Sequence, residues 1–275
     1  MKINTTPETT AETEIIDIHT HAFPDQVAAK AIPALEKEGN VKAYHDGRIS
    51  SLLVSMDRAG IARSVLCSIA TRPSQFEPIL DWSIAIRSER IIPFPSCHPS
   101  DVQVLDQISQ IRKEGFFGIK MHPYYQDFFI AEERMLPIYE RICREGLVLL
   151  MHTGFDIAFP RTRRADPAAI SQVLGKFPQL KLIATHLGAW DDWDEVERHL
   201  LGREVYMDIA FVLDYLSRER ALEFLNRHPR QYLLFGTDSP WADQKAAVAQ
   251  LKDLGLGAAR QQAMLADNAR RLLGI

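Results

Sequence analysis

Eight short apolar or β-branched runs punctuate the chain, and their repetition constrains the fold more than any other feature. They begin near Glu14 (EIIDI), Ala62 (ARSVLCSI), Ile91 (IIPFPS), Phe116 (FFGIKM), Leu147 (LVLLM), Leu180 (LKLIAT), Glu204 (EVYMDIA) and Tyr232 (YLLFGT). Most starts lie about 24–33 residues apart, and the sequence between them has helical period. Val104, Leu105, Ile108 and Ile111 share one helical face, as do Met135, Ile138, Tyr139 and Ile142. Gly60, Gly115 and Gly146 each stand where a helix would end and the next run begin, the place for a left-handed residue. Near-continuous apolar strands alternating with helices imply a parallel sheet covered on both faces. Eight such units predict an α/β fold, a (β/α)8 TIM barrel. The rival, an open doubly wound sheet, is weakened because no G-x-G-x-x-G turn follows the first run.

One interval is too long for this rhythm. Between the first and second runs, residues at about 22–49 read as an insertion over the barrel mouth. Gln26 to Glu38 is expected to be helical, with Val27, Ala31 and Leu35 on one face. Asp46-Gly47 signals a hairpin turn. Residues 1–13 are expected to be a loose polar tail, and 14–275 a single barrel with neither linker nor second domain. Composition limits the function classes: 46% apolar and 25% charged residues describe a globular protein. A net charge of −4 without a basic stripe argues against a nucleic-acid partner. No apolar run approaches a membrane span, and the N-terminus shows no secretory signal. Three scattered cysteines, Cys67, Cys97 and Cys143, suit a reducing compartment, so a cytoplasmic protein is expected.

The ends of the runs carry the chemistry. Six of the nine histidines sit at or just past a carboxyl end: His19, His21, His98, His122, His152 and His186. Asp208 and Asp238 end the seventh and eighth runs. A barrel gathers all eight carboxyl ends at one rim, where residues distant in sequence converge. His19 and His21, two apart on one strand, share a face. With His152 and Asp238 they make a three-nitrogen, one-oxygen set for one divalent metal ion. Zinc is expected, with manganese or iron as alternatives. Such an ion makes hydroxide from bound water near neutral pH, and a carboxylate beside it can take the proton.

IIDIHTH, GIKMHP, LLMHTG, LIATHLG, LLFGTDSPW and DNARRLL together resemble the amidohydrolase superfamily, in particular its amidohydrolase-2 branch, from about Ile15 to Leu273. The resemblance implies a distorted barrel with His19, His21, His152 and Asp238 as metal ligands. It makes His186 the catalytic or substrate-polarising group. Lys120 stands where binuclear members carry a carbamylated lysine; in this branch it would instead pair with substrate or a nearby carboxylate. His122 would touch substrate or support the ligands. The branch holds both hydrolases and decarboxylases. The leading expectation is hydrolysis of a lactone, cyclic amide or ester of a small molecule, with Asp238 as base and His186 polarising the carbonyl. The alternative is non-oxidative decarboxylation of a small carboxylic acid.

Other residues are open to two readings. Asp208 could orient a site histidine or only brace a loop. Asp17 is in phase with His19 and could point inward. Trp241 could wall the pocket or pack beneath a loop. His98 could cap the next helix. His199 and His228 read as surface residues, and so does His45 unless the insertion carries it to the mouth. Arg161, Arg163 and Arg164 form a basic cluster after His152. It either grips an anionic substrate or makes solvated and intersubunit ion pairs. Monomer and homodimer both remain open.

Overall fold

The computed structural model describes residues 14–275, so the expectation for residues 1–13 lies outside the described residues. Eight parallel strands follow one another in chain order. They are β1 (Ile15–Thr20), β2 (Ile61–Cys67), β3 (Ile91–Phe94), β4 (Gly118–Met121), β5 (Val148–Met151), β6 (Lys181–Ala184), β7 (Tyr206–Asp208) and β8 (Leu233–Leu234). They hydrogen-bond as a three-stranded sheet, β1-β2-β3, and a five-stranded sheet, β4-β5-β6-β7-β8. The ring closes at both junctions. Ile18 N–H donates to Phe235 O at 2.9 Å and Asp238 N–H to His19 O at 2.8 Å across β8 and β1. Across β3 and β4 the backbone bond is Lys120 N–H to Pro95 O, 2.9 Å.

The sequence explains why that second junction is thin. Ser64 and Ser68 of the β2 segment donate to Arg90 O and Phe94 O, whereas Pro95 O faces β4. A residue's N–H and C=O leave a strand on the same side, so Pro93 and Pro95 are the residues turned toward β4. Proline has no N–H to give, and the ladder stops there.

Alternate strand residues build two packed layers. Ile16, Ile18, Val65, Phe94, Leu150, Ile183 and Leu234 fill the barrel interior, and Leu272 and Leu273 join them from the C-terminal helix. Ile61, Leu66, Ile119, Leu149, Met151, Leu182 and Met207 face the surrounding helices. Near-continuous apolar strands are the signature of such two-sided burial. Gly60, Gly115 and Gly146 all adopt positive φ, and Gly60 and Gly146 cap the helices Ile49–Ala59 and Leu136–Glu145.

The mouth insertion forms one helix, α1 (Asp25–Gly39), ended by Asn40 in the left-handed conformation. The Asp46-Gly47 hairpin is not formed. Residues 41–48 contain no strand, and the Asp46 carboxylate instead accepts Arg48 N–H at 3.1 Å, a local turn. This loop is fastened to the end of β8: Tyr44 N–H donates to Pro240 O, and His45 Nε2 meets Ser239 Oγ at 3.0 Å. Among the described residues, no helix is long and apolar enough to cross a membrane.

Candidate metal centre

A bulge in β1 aims the first two histidines. Asp17 lies opposite Ser64 and Thr20 opposite Leu66, so three steps on β1 span two on β2. Before the bulge Ile16 and Ile18 face the interior; after it His19 and His21 line the cavity at the mouth. Asp17 is therefore out of phase with them, contrary to the alternation read from the sequence. Its carboxylate accepts N–H groups of His19 and Thr237, the Thr237 hydroxyl and the Gln244 amide, tying β1 to the β8 end. Complete burial raises its pKa to about 7 despite those donors.

Three ligand atoms then converge. His21 Nε2 is 3.2 Å from His19 Nε2, and Asp238 Oδ1 lies 3.1 Å from the former and 3.3 Å from the latter. The other ring nitrogens fix the tautomers. His19 Nδ1 donates to Asp208 Oδ2 at 3.0 Å and His21 Nδ1 to Cys67 O at 2.9 Å. Both Nε2 atoms thus present lone pairs to each other and to a carboxylate. A second pair stands beside them: His186 Nε2 faces His152 Nδ1 at 3.1 Å. His186 Nδ1 donates to Ala210 O and His152 Nε2 to Phe155 O, so this approach too is lone pair against lone pair. Burial, with like charge beside it, lowers His152 to about 3 and His186 to about 4, which keeps both neutral. Such a gathering of unprotonated donors fits a divalent cation and is poorly served by anything else. Lys120, fully buried, brings Nζ to 3.1 Å from His19 Nε2, and burial depresses its pKa. One lysine cannot serve five such acceptors.

Electrostatics and backbone support the set. Burial works to raise the Asp238 pKa, but His19, His21 and His186 hold the carboxyl well below the usual range, so it is ionised. His186 and Asp238 both have positive φ, 59° and 67°, which disfavours non-glycine residues and persists only when neighbours enforce it. Here Asp208 Oδ1 accepts His186 N–H at 2.8 Å, and His19 O accepts Asp238 N–H. Asp208 thus holds two site residues at once, which answers the question left open by its position.

The cavity above measures about 500 Å³. Its floor is the histidine cluster with Asp238 and Lys120; its walls include Phe23, Trp82, Tyr125, Trp190, Phe211 and Trp241. Trp241 is therefore a wall residue. The helix α1 contributes Val27, Ala31, Ala34 and Leu35, the face foreseen as apolar, so this insertion shapes the entrance.

Other expectations fare differently. None of Arg161, Arg163 and Arg164 lines the cavity. They pair with Asp191, Asp192 and Asp127, respectively, and Arg161 also stacks on Phe155 at 3.9 Å. The basic cluster is a set of loop braces, invisible as such because its partners lie 29 to 37 residues away in sequence. His98 accepts Ser100 N–H and does not reach the cavity. His228 is not a surface residue: it is 1% exposed and bonded to Val205 O. His199 pairs with Glu195 on its own helix.

Asp156 was not foreseen. It sits in the loop after β5, lines the cavity and meets His122 Nε2 at 3.3 Å and His152 Nε2 at 3.7 Å. Burial works to raise its pKa, but the hydrogen bond from His122 and the two imidazoles hold it below the usual carboxylate range. The only sequence signal is its place four residues after His152. His122, His152 and Asp156 are close enough to suggest a second ion. The rings of His122 and His152, however, are stacked at 4.2 Å with planes only 11° apart. Imidazole lone pairs lie in the ring plane, so two nearly parallel rings cannot both aim at one ion about 2 Å away.

The whole described chain has relatives of known fold. An uncharacterized TIM-barrel protein from Bordetella bronchiseptica superposes with a TM-score of 0.76 at 19% identity, over 95% of this chain and 98% of that one. A 2,6-dihydroxybenzoate decarboxylase from Rhizobium gives 0.65 at 13% identity, covering 95% and 99%. A 5-carboxyvanillate decarboxylase from Novosphingobium aromaticivorans, complexed with manganese and 4-hydroxy-3-methoxy-5-nitrobenzoic acid, gives 0.70 at 13%, covering 96% and 97%. No curated protein matches by sequence. A family model described as Amidohydrolase matches residues 16–275, and with its eight-stranded barrel and convergent histidines the chain belongs to the amidohydrolase-2 family.

Proposed function

We propose that this protein is a metal-dependent, non-oxidative decarboxylase of a small, flat carboxylic acid. The observation that carries the reading is the contrast between floor and walls of a single cavity. Lone-pair donors suited to a divalent cation and the Lys120 amine form the floor; mainly apolar and aromatic side chains form the walls. A carboxylate belongs against that floor and a ring against those walls. The likeness to decarboxylases of aromatic acids supports the choice over hydrolysis.

The residues that would hold the ion are His19, His21 and Asp238, with His152 and His186 presenting Nδ1 and Nε2 beside them. When bound, the ion supplies a positive charge that orients the carboxylate. Manganese, zinc and iron all suit nitrogen and oxygen donors, and manganese is present in one of the related structures. Decarboxylation replaces the carboxyl group by a proton on carbon. Asp238, ionised, and His186, neutral with Nε2 unprotonated, would take that proton from water and pass it to the carbon. Lys120 would hold the departing carboxyl group, and the aromatic walls would keep water from the carbon.

Hydrolysis of a lactone, cyclic amide or ester is the second reading. It is favoured by one observation: Asp238 is held ionised, the state a base needs to take a proton from water. The test is turnover of manganese- and zinc-loaded protein on aromatic carboxylic acids and on lactones, following carbon dioxide release. Metal-dependent carbon dioxide release with loss of the carboxyl group supports decarboxylation. Ring opening or ester cleavage without carbon dioxide overturns it in favour of hydrolysis. We assign the protein to the cytoplasm on its three unpaired cysteines, two of them buried.

A further inference from the structure

Gln126 is fully buried, and both polar atoms of its side chain are paired. Its Oε1 accepts His122 N–H at 2.8 Å. Its Nε2 donates to Ala70 O and to Cys97 O, both at 2.9 Å, and stands 3.3 Å from Ser96 Oγ. Ala70 follows β2, Cys97 follows β3 and His122 follows β4, so one amide gathers the carboxyl ends of three successive strands. An amide enclosed in this way fixes its partners, because each of them would be left buried and unpaired if it moved off.

The place is the junction at which Pro93 and Pro95 withhold their donors. Lys120 N–H still reaches Pro95 O at 2.9 Å. The Lys120 carbonyl, on the same side of β4, accepts the Ser96 hydroxyl at 2.8 Å, so a side chain stands in for a strand donor. Nearer the start of β4 the seam is apolar: the Phe94 ring lies so close to Gly118 that a Cβ there would sit 2.5 Å from it. Ser96 and Gln126 form the polar half of the same seam. They grip the main chain on both sides of Met121, at Lys120 O and at His122 N–H. Those two residues send the Lys120 amine to 3.1 Å from His19 Nε2 and stack the His122 ring on His152 at 4.2 Å.

We propose that Gln126 is a positioning residue: with Ser96 it replaces the hydrogen bonds that the two prolines withhold, closes the barrel between β3 and β4, and so holds Lys120 and His122 in the cavity floor. Its effect on ligand binding rests on the reading that Lys120 holds the carboxyl group; its effect on the junction does not.

The test compares manganese-loaded wild type, Gln126→Met, which keeps the length and loses the amide, and the milder Ser96→Ala. Amide hydrogen exchange is read at Lys120 in the β3–β4 seam, at Ile18 in the β8–β1 seam and at Leu150 in the middle of the five-stranded arc. Lys120 N–H is bonded to neither altered side chain, so its exchange reports the junction and not the lost partner. Expected is exchange at Lys120 about tenfold faster in Gln126→Met and about threefold faster in Ser96→Ala, with Ile18 and Leu150 within about twofold of wild type. Equal acceleration at all three amides marks a general loss of stability and overturns the proposal, as does unchanged exchange at Lys120. Should Gln126→Met not fold, Ser96→Ala decides by the same comparison. Benzoate affinity, read by quenching of the cavity tryptophans, should fall about fivefold in parallel. Faster exchange at Lys120 with benzoate affinity unchanged, or with no benzoate binding to wild type, leaves the junction role of Gln126 standing and overturns the carboxylate-holding role of Lys120.

Discussion

His228 shows how much a single residue's identity leaves unsaid. In sequence it follows the helix Arg218–Arg227 and looks like a polar end on the surface. In the fold its Nε2 donates to Val205 O and its Nδ1 receives Gly202 N–H. Burial lowers its pKa from 6.5 to about 4. The unfolded chain protonates this group near pH 6.5 and the folded chain does not. The stability it supports is therefore complete above about pH 6.5 and lost as pH falls toward 4. From pH 7.5 to 5 the loss from this one group should be about 2 kcal/mol. Urea unfolding at both pH values, for wild type and His228→Gln, checks it: the wild type should lose more stability on acidification than the variant. Equal losses would show that His228 titrates alike in both states. His19, His21, His152, His186 and Asp238 were legible as a group because strand ends in a barrel share one rim. Asp156, His228 and the arginine pairings were not, because each depends on which loops meet in space.

At the level of elements, period and punctuation read well and phase read poorly. The eight strands and the entrance helix fall where apolar runs and helical spacing put them. The β1 bulge does not announce itself: IIDIHTH looks like continuous alternation, and only the pairing with β2 reveals the extra residue. The loop after β5 is similar. Gly154 has φ 86°, and a Cβ there would sit 2.1 Å from Trp190 N and 2.4 Å from Trp190 O. This glycine lets the loops after β5 and β6 run side by side, which sets both His152 and Asp156. Gly154→Ala adds backbone strain and a collision with another backbone, neither relieved by a side-chain rotation. A loss of roughly 3 kcal/mol or more is expected, read from urea midpoints, with metal affinity falling in parallel. A variant as stable as the parent would mean that the two loops can separate freely.

At the scale of the whole molecule, the barrel is a ring made of two unequal arcs. His19 and His21 belong to the three-stranded arc, while Lys120, His152, His186 and Asp238 sit on the five-stranded one or its loops. An ion held by both arcs would bridge the junctions between them. Amide hydrogen exchange measures this directly. Adding manganese should slow exchange at Ile18, whose N–H crosses β8 to β1, and at Lys120, whose N–H crosses β3 to β4, more than at the middle of the five-stranded arc. Uniform slowing across all strands would argue that the ion stabilises the fold without fastening the junctions.

The prolines at the end of β3 gain a further meaning from that division. Pro93 and Pro95 leave the β3–β4 edge short of donors, so the ring has a built-in place to open. Opening there would spread the floor of the cavity, separating the β1 histidines from Lys120. A barrel with an incomplete hoop at that position behaves like a spring clip. If an ion bridges the two arcs, loaded molecules should open there less often than empty ones, and limited proteolysis would cut them more slowly.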